Sequence, residues 1–254
     1  MNPGLAQAWQ DALAFDGLIW LVVATLVAGT VRGFSGFGTA MIYMPVAGAF
    51  LSPVWALITI LVFDLIGPLP NVPRALRDGR VREAGLLGLG ALISLPVGLW
   101  LLVRIDPTIF RWGVSVVALI LLGVLLSGWR YEKPVTRPLA FGIGSLGGFL
   151  GGISGLAGPP VIIFYMSSKQ TIAAIRANIL LYLLFVDIFA LAIFAGSDQL
   201  RLTPVLIGAL LIVPYTIGNV AGAAVFNPDK EKLYRVIAYV IIAASAIRGL
   251  PVFG

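Results

Sequence analysis

Long apolar stretches alternate with short polar connections along the whole chain. The first set of apolar stretches lies roughly at 18–31, 39–51, 54–67, 84–103 and 108–128. The second set lies at 138–150, 159–168, 178–196, 204–226 and 234–253. A helix needs about 20 apolar residues to cross a membrane. The fourth and fifth stretches of each set reach that length and 178–196 nearly does, so these are predicted to be membrane-spanning helices.

The first two stretches of each set are shorter, at about 10–14 residues against the roughly 20 that a span needs. The glycine-rich segments RGFSGFG (32–38) and LGGISGLAGPP (150–160) separate the two members of each pair. Clustered glycines and a Pro-Pro pair disfavour a continuous helix. Each pair is therefore predicted to form a broken, re-entrant hairpin of two half-helices, the later of which start at Thr39 and Pro159.

The two sets resemble each other in four places that occur in the same order. The matched positions are Ser35-Gly36 with Ser154-Gly155, Asp64 with Asp187, Pro96 with Pro214, and Asp106-Pro107 with Asn227-Pro228. Four matches at a nearly constant separation indicate an internal duplication. The predicted repeats span 18–128 and 138–253, after an N-terminal leader at 1–17.

Basic residues in the short loops predict the orientation of the helices. The arginine-rich loops at 74–83 and 129–138 are predicted to be cytoplasmic. The loop of the second set that corresponds to 74–83 is 197–203, and it is poor in basic residues. The loop 227–235 is rich in basic residues, although its counterpart in the first set, 104–107, is poor in them. This reversal predicts inverted-topology repeats, each with an odd number of crossings. Either three full spans plus one re-entrant hairpin or five short spans would satisfy that parity.

Composition makes the whole chain an all-α integral membrane protein, because 59% of its residues are hydrophobic and only 11% are charged. The chain has no cysteine and no histidine, which excludes thiol nucleophiles, Cys/His metal sites and a Ser–His–Asp triad. No cofactor or metal site is predicted. The net charge of +6 sits in loops between apolar stretches, so we expect membrane lipids rather than nucleic acid as its partner.

The glycine-rich segments are the best candidates for a binding site. Backbone groups that a helix break frees cannot face lipid, so they must be buried or line a wet cavity. Helix starts present free N–H groups and the positive end of a dipole, which suits an anion. The candidate substrate-binding residues are Arg32, Ser35, Gly36, Gly38, Thr39, Ser154, Gly155, Gly158, Arg176, Asn178 and Tyr182. The alternatives are that the glycines only allow close helix packing and that the arginines only reach toward lipid headgroups.

Two aspartates lie within apolar stretches, Asp64 and Asp187. A carboxylate at membrane depth is a candidate functional group. It could carry a proton for coupled transport, or it could pair with Arg32 or Arg176 and hold the site together. Asp64 also lies close to a Gly-Pro pair, so solvation near an interface is a third interpretation.

The sequence resembles the TauE/SafE sulfite exporter family of membrane anion transporters. The resemblance rests on GFSGFGTAMIYMP (33–45), GFLGGISGLAGPPVIIFYM (148–166), IRANILL (175–181) and the duplicated arrangement. It implies a secondary transporter, and not an enzyme, that exports small sulfur-containing anions such as sulfite or the organosulfonate sulfoacetate. It also implies a multi-pass protein of the bacterial inner membrane.

Other function classes remain open on the residues alone. An anion channel is the nearest alternative to a carrier, and an intramembrane enzyme or an assembly factor is more distant, because no serine has a helix-spaced partner for catalysis. The lipid-facing surface is compatible with a homodimer.

Overall fold

The structure, a computed structural model, describes residues 3–128, 136–165 and 170–252. Every regular element within these residues is helical. The helices of the first part are α1 (Pro3–Leu13), α2 (Leu18–Ser35), α3 (Thr39–Phe50), α4 (Pro53–Ile66), α5 (Val72–Asp78), α6 (Val81–Leu102) and α7 (Pro107–Leu126). Those of the second part are α8 (Arg137–Ser154), α9 (Gly158–Tyr165), α10 (Ile172–Gly196), α11 (Leu202–Val225) and α12 (Glu231–Gly249).

Five of these helices are long and apolar enough to cross a membrane: α2, α6, α7, α10 and α11. The prediction of spans at 84–103, 108–128, 178–196 and 204–226 agrees with four of them. The stretch at 234–253 forms α12, which is not among the five in the part of the chain that is described. Its ends carry Lys232, Arg235 and Arg248, so less of its length is continuously apolar.

The prediction of short half-helices is wrong for the first stretch of each set. Helices α2 and α8 each have 18 residues and continue through several glycines to Ser35 and Ser154. Glycine costs only about 1 kcal/mol in a helix, which tight packing offsets. Both helices end where a glycine takes a left-handed conformation. The short apolar helices are α3, α4 and α9, which come after the breaks.

Glycines allow two pairs of long helices to lie with their backbones in contact. Helix α2 packs along α11, and helix α8 packs along α6. A Cβ atom on Gly29 or Gly33 would overlap the α11 backbone, and one on Gly222 would overlap the carbonyl of Thr30. Close approach through small residues is the usual means of helix association in membranes.

The second pair is built in the same way. A Cβ atom on Gly144 would overlap the carbonyl oxygen of Leu87, and one on Gly90 would overlap that of Phe141. Each pair joins one helix that precedes residue 128 to one that follows residue 136. The two parts of the chain therefore form a single packed body.

The two arginine-rich loops, 74–83 and 129–138, are both predicted to be cytoplasmic, which requires them to lie on the same side of the molecule. Arg80, Arg82 and Arg137 line one shallow cavity at the starts of α6 and α8, so the two arginine-rich loops share one side of the molecule. Arg130 and Lys133 of the second loop, residues 1–2 of the leader and residue 253 of the second repeat lie outside the described residues.

The contact between α6 and α8 can be tested with one methyl group. We expect Gly144→Ala to lower the free energy of unfolding by about 1–3 kcal/mol, because overpacking a tight interface has a cost of that size. The measurement is the unfolding midpoint in detergent micelles. Gly142→Ala is the matched control on the same helix, because a Cβ there meets no atom within 4 Å. Equal midpoints for the two variants would contradict this account of the interface.

Candidate functional site

A cavity of about 50 Å³ lies where the two helix breaks approach each other. Its lining includes glycines of both breaks, namely Gly36, Gly38 and Gly155. It also includes the first residues of the following helices, Thr39 of α3 and Gly158 of α9. Glycines of the two glycine-rich segments therefore lie around one cavity.

The backbone turns at the breaks require glycine. Gly36, Gly38 and Gly155 have φ values of 81°, 101° and 76°, a region that side chains with a Cβ rarely adopt. Gly158, the remaining candidate glycine of the breaks, is not among the described residues with positive φ. It is already the first residue of α9, and Pro159 and Pro160 follow it within the first turn.

The two helix starts differ in what they offer an anion. The first N–H groups of α3, on Thr39, Ala40 and Met41, have no partner within their own helix because of their position in the first turn, and all three residues line the cavity. Proline has no N–H group, so Pro159 and Pro160 remove two donors from the start of α9. The helix start at Thr39 therefore has more backbone donors to offer an anion than the start of α9.

An ion pair between α2 and α4 forms one wall of the cavity. Arg32 Nη1 donates to both carboxylate oxygens of Asp64, at 2.8 Å and 3.0 Å, and lies 3.3 Å from the hydroxyl of Thr39. The side chains of Arg32 and Asp64 are only 15% and 12% exposed. Of the interpretations proposed for Asp64, pairing with Arg32 is the one that the geometry shows.

A third side chain, Tyr215 of α11, completes this pair. Its hydroxyl donates to Asp64 Oδ1 at 2.7 Å. Its ring packs against Phe63, which packs in turn edge-on against Tyr43. Sequence reasoning missed Tyr215. It is adjacent to Pro214, which had been matched to Pro96, but nothing local to that segment indicates a partner 151 residues away.

Asp187 of α10 lines the same cavity and is 8% exposed. Its neighbours along that wall are Leu183, Val186 and Ala190. No hydrogen bond or ion pair joins the Asp187 carboxylate to another of the described residues, although Arg32 and Asp64 lie near enough to interact with it electrostatically. The cavity thus holds one cation and two carboxyl groups.

The two serines of the breaks are not among the lining residues. Ser35 Oγ lies 2.7 Å from the carbonyl oxygen of Val31, and Ser154 donates to the carbonyl of Leu150 at the same distance. Serine hydroxyls in a last helical turn often bond back to the carbonyl four residues earlier. Their role as direct anion ligands remains a prediction, and the geometry instead assigns them to ending α2 and α8.

Three further candidates lie on α10 outside the cavity lining. Arg176 is exposed, with its Nε atom near Gly36. Asn178 is buried and accepts from the backbone N–H of Arg80 at 2.7 Å, while its amide donates to Gln170. Tyr182 donates to the carbonyl of Gly144 at 3.2 Å. In these positions Asn178 and Tyr182 tie α10 to the turn before α6 and to α8.

The site offers a guanidinium, helix-start N–H groups and a hydroxyl to a small ligand. This donor set suits an oxyanion. In the described part of the chain, no group of three or more acidic residues could hold a metal ion.

Comparison with known proteins agrees with the resemblance seen in the sequence. A family model described as "Sulfite exporter TauE/SafE" matches residues 21–249. The chain is also 26% identical over 240 residues to a protein of Cupriavidus necator named "Probable sulfite/organosulfonate exporter TauE", with 90% of this chain and 92% of that protein covered. No solved structure matches the chain significantly.

The ion pair predicts a specific pattern of stabilities. We expect Arg32→Gln and Asp64→Asn each to lower the free energy of unfolding by about 3–5 kcal/mol, because each leaves one buried charge without its partner. The double variant Arg32→Gln/Asp64→Asn should lose much less than the sum, since two amides can still hydrogen-bond and no charge remains. Unfolding in mixed micelles measures all three. Strictly additive losses would show that the two side chains do not act as a pair.

Proposed function

The chain belongs to the TauE/SafE sulfite exporter family, and from that premise we propose that it exports sulfite or a small organosulfonate, bound in the cavity beside Arg32 and Thr39. Members of this family are membrane transporters and not enzymes, so an intramembrane enzyme is no longer an alternative. The observation that carries the proposal is the convergence of both helix breaks on one cavity that contains a buried guanidinium.

The anion would bind on the side of Arg32 that Asp64 does not occupy. Only Nη1 of Arg32 donates to other residues in the described ranges, so the remaining N–H groups of the guanidinium stay available. Arginine binds tetrahedral and planar oxyanions well because its donors form a planar fork. The N–H groups at the start of α3 would add further donors and a favourable helix dipole.

The size of the cavity supports a compact substrate. Its volume of about 50 Å³ is several times the roughly 10–15 Å³ that a cavity needs to hold one water molecule. Sulfite is closer to that size than sulfoacetate, which carries an additional carboxymethyl group. Binding of the larger anion would require the helices around the breaks to separate.

Alternating access is supported by the way the helices pair. In the matched sets α2 corresponds to α8, and α6 corresponds to α11. Each of the two contacts, α2–α11 and α8–α6, therefore joins a helix of one set to a helix of the other. Two repeats of inverted topology would produce this arrangement and would place the substrate near the middle of the membrane. Rocking of one helix pair against the other would then expose the cavity to each side in turn.

Charge in the cavity supports coupling to protons. With Asp64 paired to Arg32, an ionised Asp187 would give the cavity a net negative charge and repel an anion. An unpaired carboxylate among apolar side chains is also costly to ionise. We therefore assign Asp187 as the group that holds a proton while the anion is bound, and Asp64 as the group that positions Arg32.

The driving force for export would come from the anion gradient and from the membrane potential, since an inside-negative potential favours the exit of anions. A homodimer remains a prediction. A channel is the second candidate for the mechanism, and the small volume of the cavity, about 50 Å³, favours a carrier.

Anion binding should require the charge on Arg32. We expect Arg32→Gln/Asp64→Asn to lose sulfite binding by at least about 100-fold, the equivalent of about 2.7 kcal/mol, because the variant keeps the fold but lacks the guanidinium. Calorimetry on purified protein measures binding, and sulfite efflux from proteoliposomes measures transport. Arg77→Gln is the matched control, since Arg77 is exposed and outside the cavity lining.

Unchanged binding by the double variant would remove Arg32 from the site and with it the proposed function. A panel of sulfite, sulfoacetate, taurine, sulfate and acetate identifies the preferred anion in the wild-type protein. Efflux that does not saturate with sulfite concentration and proceeds at channel-like rates would favour the channel.

Protonation of Asp187 should appear in the pH dependence of binding. Affinity for sulfoacetate, whose own charge hardly changes near neutral pH, should fall as pH rises, by up to about tenfold per pH unit if each anion binds with one proton. Asp187→Asn is permanently neutral at this position, so it should bind at alkaline pH as the wild type does at acidic pH. Identical pH profiles for wild type and Asp187→Asn would exclude Asp187 as the coupling group.

A further inference from the structure

A second and larger cavity lies on the other side of α3, bounded by α2, α7 and α12. Its volume is about 570 Å³, and most of its wall is apolar, with Val23 and Val27 of α2 facing Ile42 and Val46 of α3. Among the described residues, it shares no lining residue with the cavity beside Arg32 and Thr39. We refer to it as the α3 groove.

Two arginines lie at one end of the α3 groove. Arg111 is in the second turn of α7, and Arg248 is in the last turn of α12. The stem of Arg111 runs beside α3, since a Cβ on Gly48 would lie 3.7 Å from Arg111 Cγ. At the same end of the groove the rings of Trp20 and Phe50 stack, with centroids 6.5 Å apart.

The α3 groove is positively charged at one end and mostly apolar elsewhere, which suits an amphiphilic ligand. Its arginine end places two guanidinium groups where they would attract a negative charge. The apolar remainder provides few partners for water, which needs two to four polar contacts to occupy a site. In a protein that is embedded in a membrane, an acyl chain is the group available to fill a recess of this kind.

We propose that the α3 groove binds one anionic phospholipid, with its phosphate against Arg111 and Arg248 and an acyl chain along α2 and α3. The contact along α3 from Ile42 to Phe50 is about 12 Å long at 1.5 Å per residue, which matches the upper part of an acyl chain. Aromatic rings at headgroup level are typical of a membrane interface, and Trp20 and Phe50 lie at the end where the phosphate would lie.

Phosphatidylglycerol and phosphatidylcholine with identical chains test the proposal, since they differ in net headgroup charge. Native mass spectrometry of the full chain reports the lipid that is retained, and the melting temperature reports its stabilising effect. We expect phosphatidylglycerol to be retained about tenfold better than phosphatidylcholine, which corresponds to a tenfold ratio of dissociation constants, and to raise the melting temperature more. Glycerol phosphate without chains should have neither effect.

Arg111→Gln/Arg248→Gln should remove the preference for phosphatidylglycerol. The matched control is Arg104→Gln/Arg201→Gln, which removes two exposed arginines outside the groove and should retain the lipid as wild type does. If the first variant fails to fold, Ala49→Phe keeps both arginines, fills the groove and should also release the lipid. Equal retention of the two lipids by wild type, or full retention by Ala49→Phe, would overturn the proposal.

Discussion

The buried ion pair of Arg32 and Asp64 is the interaction on which the centre of this molecule depends. An isolated charge at membrane depth is costly, and the pair avoids that cost by joining α2 to α4 with hydrogen bonds to both carboxylate oxygens. Tyr215 extends the contact to α11. Only Nη1 of Arg32 takes part in these contacts among the described residues, so the same side chain keeps donors for the anion that we propose it binds.

Hydropathy was sufficient to locate the helices but not to place their ends at the breaks. Apolar stretches report the transfer of side chains out of water, and they identified α3, α4, α6, α7 and α11 within a few residues, whereas α10 begins at Ile172, before the stretch at 178–196. They underestimated α2 and α8, because glycine lowers both hydropathy and helix propensity without preventing a tightly packed helix. The actual stops depend on left-handed conformations at Gly36 and Gly155, which periodicity does not detect.

The candidate site was predictable where it depends on local chemistry. Glycines that require positive φ, a helix start at Thr39 and charged residues within apolar stretches are visible in the sequence, and the structure brings several of them to one cavity. The partners of Tyr215, Asn178 and Tyr182 are distant along the chain. A hydroxyl or amide that fastens two helices has the same local sequence signal as one that binds a ligand, so these roles required the fold.

The glycine-mediated pairing of α2 with α11 also constrains biosynthesis. The surface against which α2 packs belongs to α11, which is translated more than 160 residues later. Until then, the polar guanidinium of Arg32 has its carboxylate partner on α4 but lacks the tyrosine on α11 that completes the cluster. Insertion into the bilayer must therefore precede final assembly, and the nascent amino-terminal helices must wait beside the translocation machinery or in lipid for their carboxy-terminal counterparts.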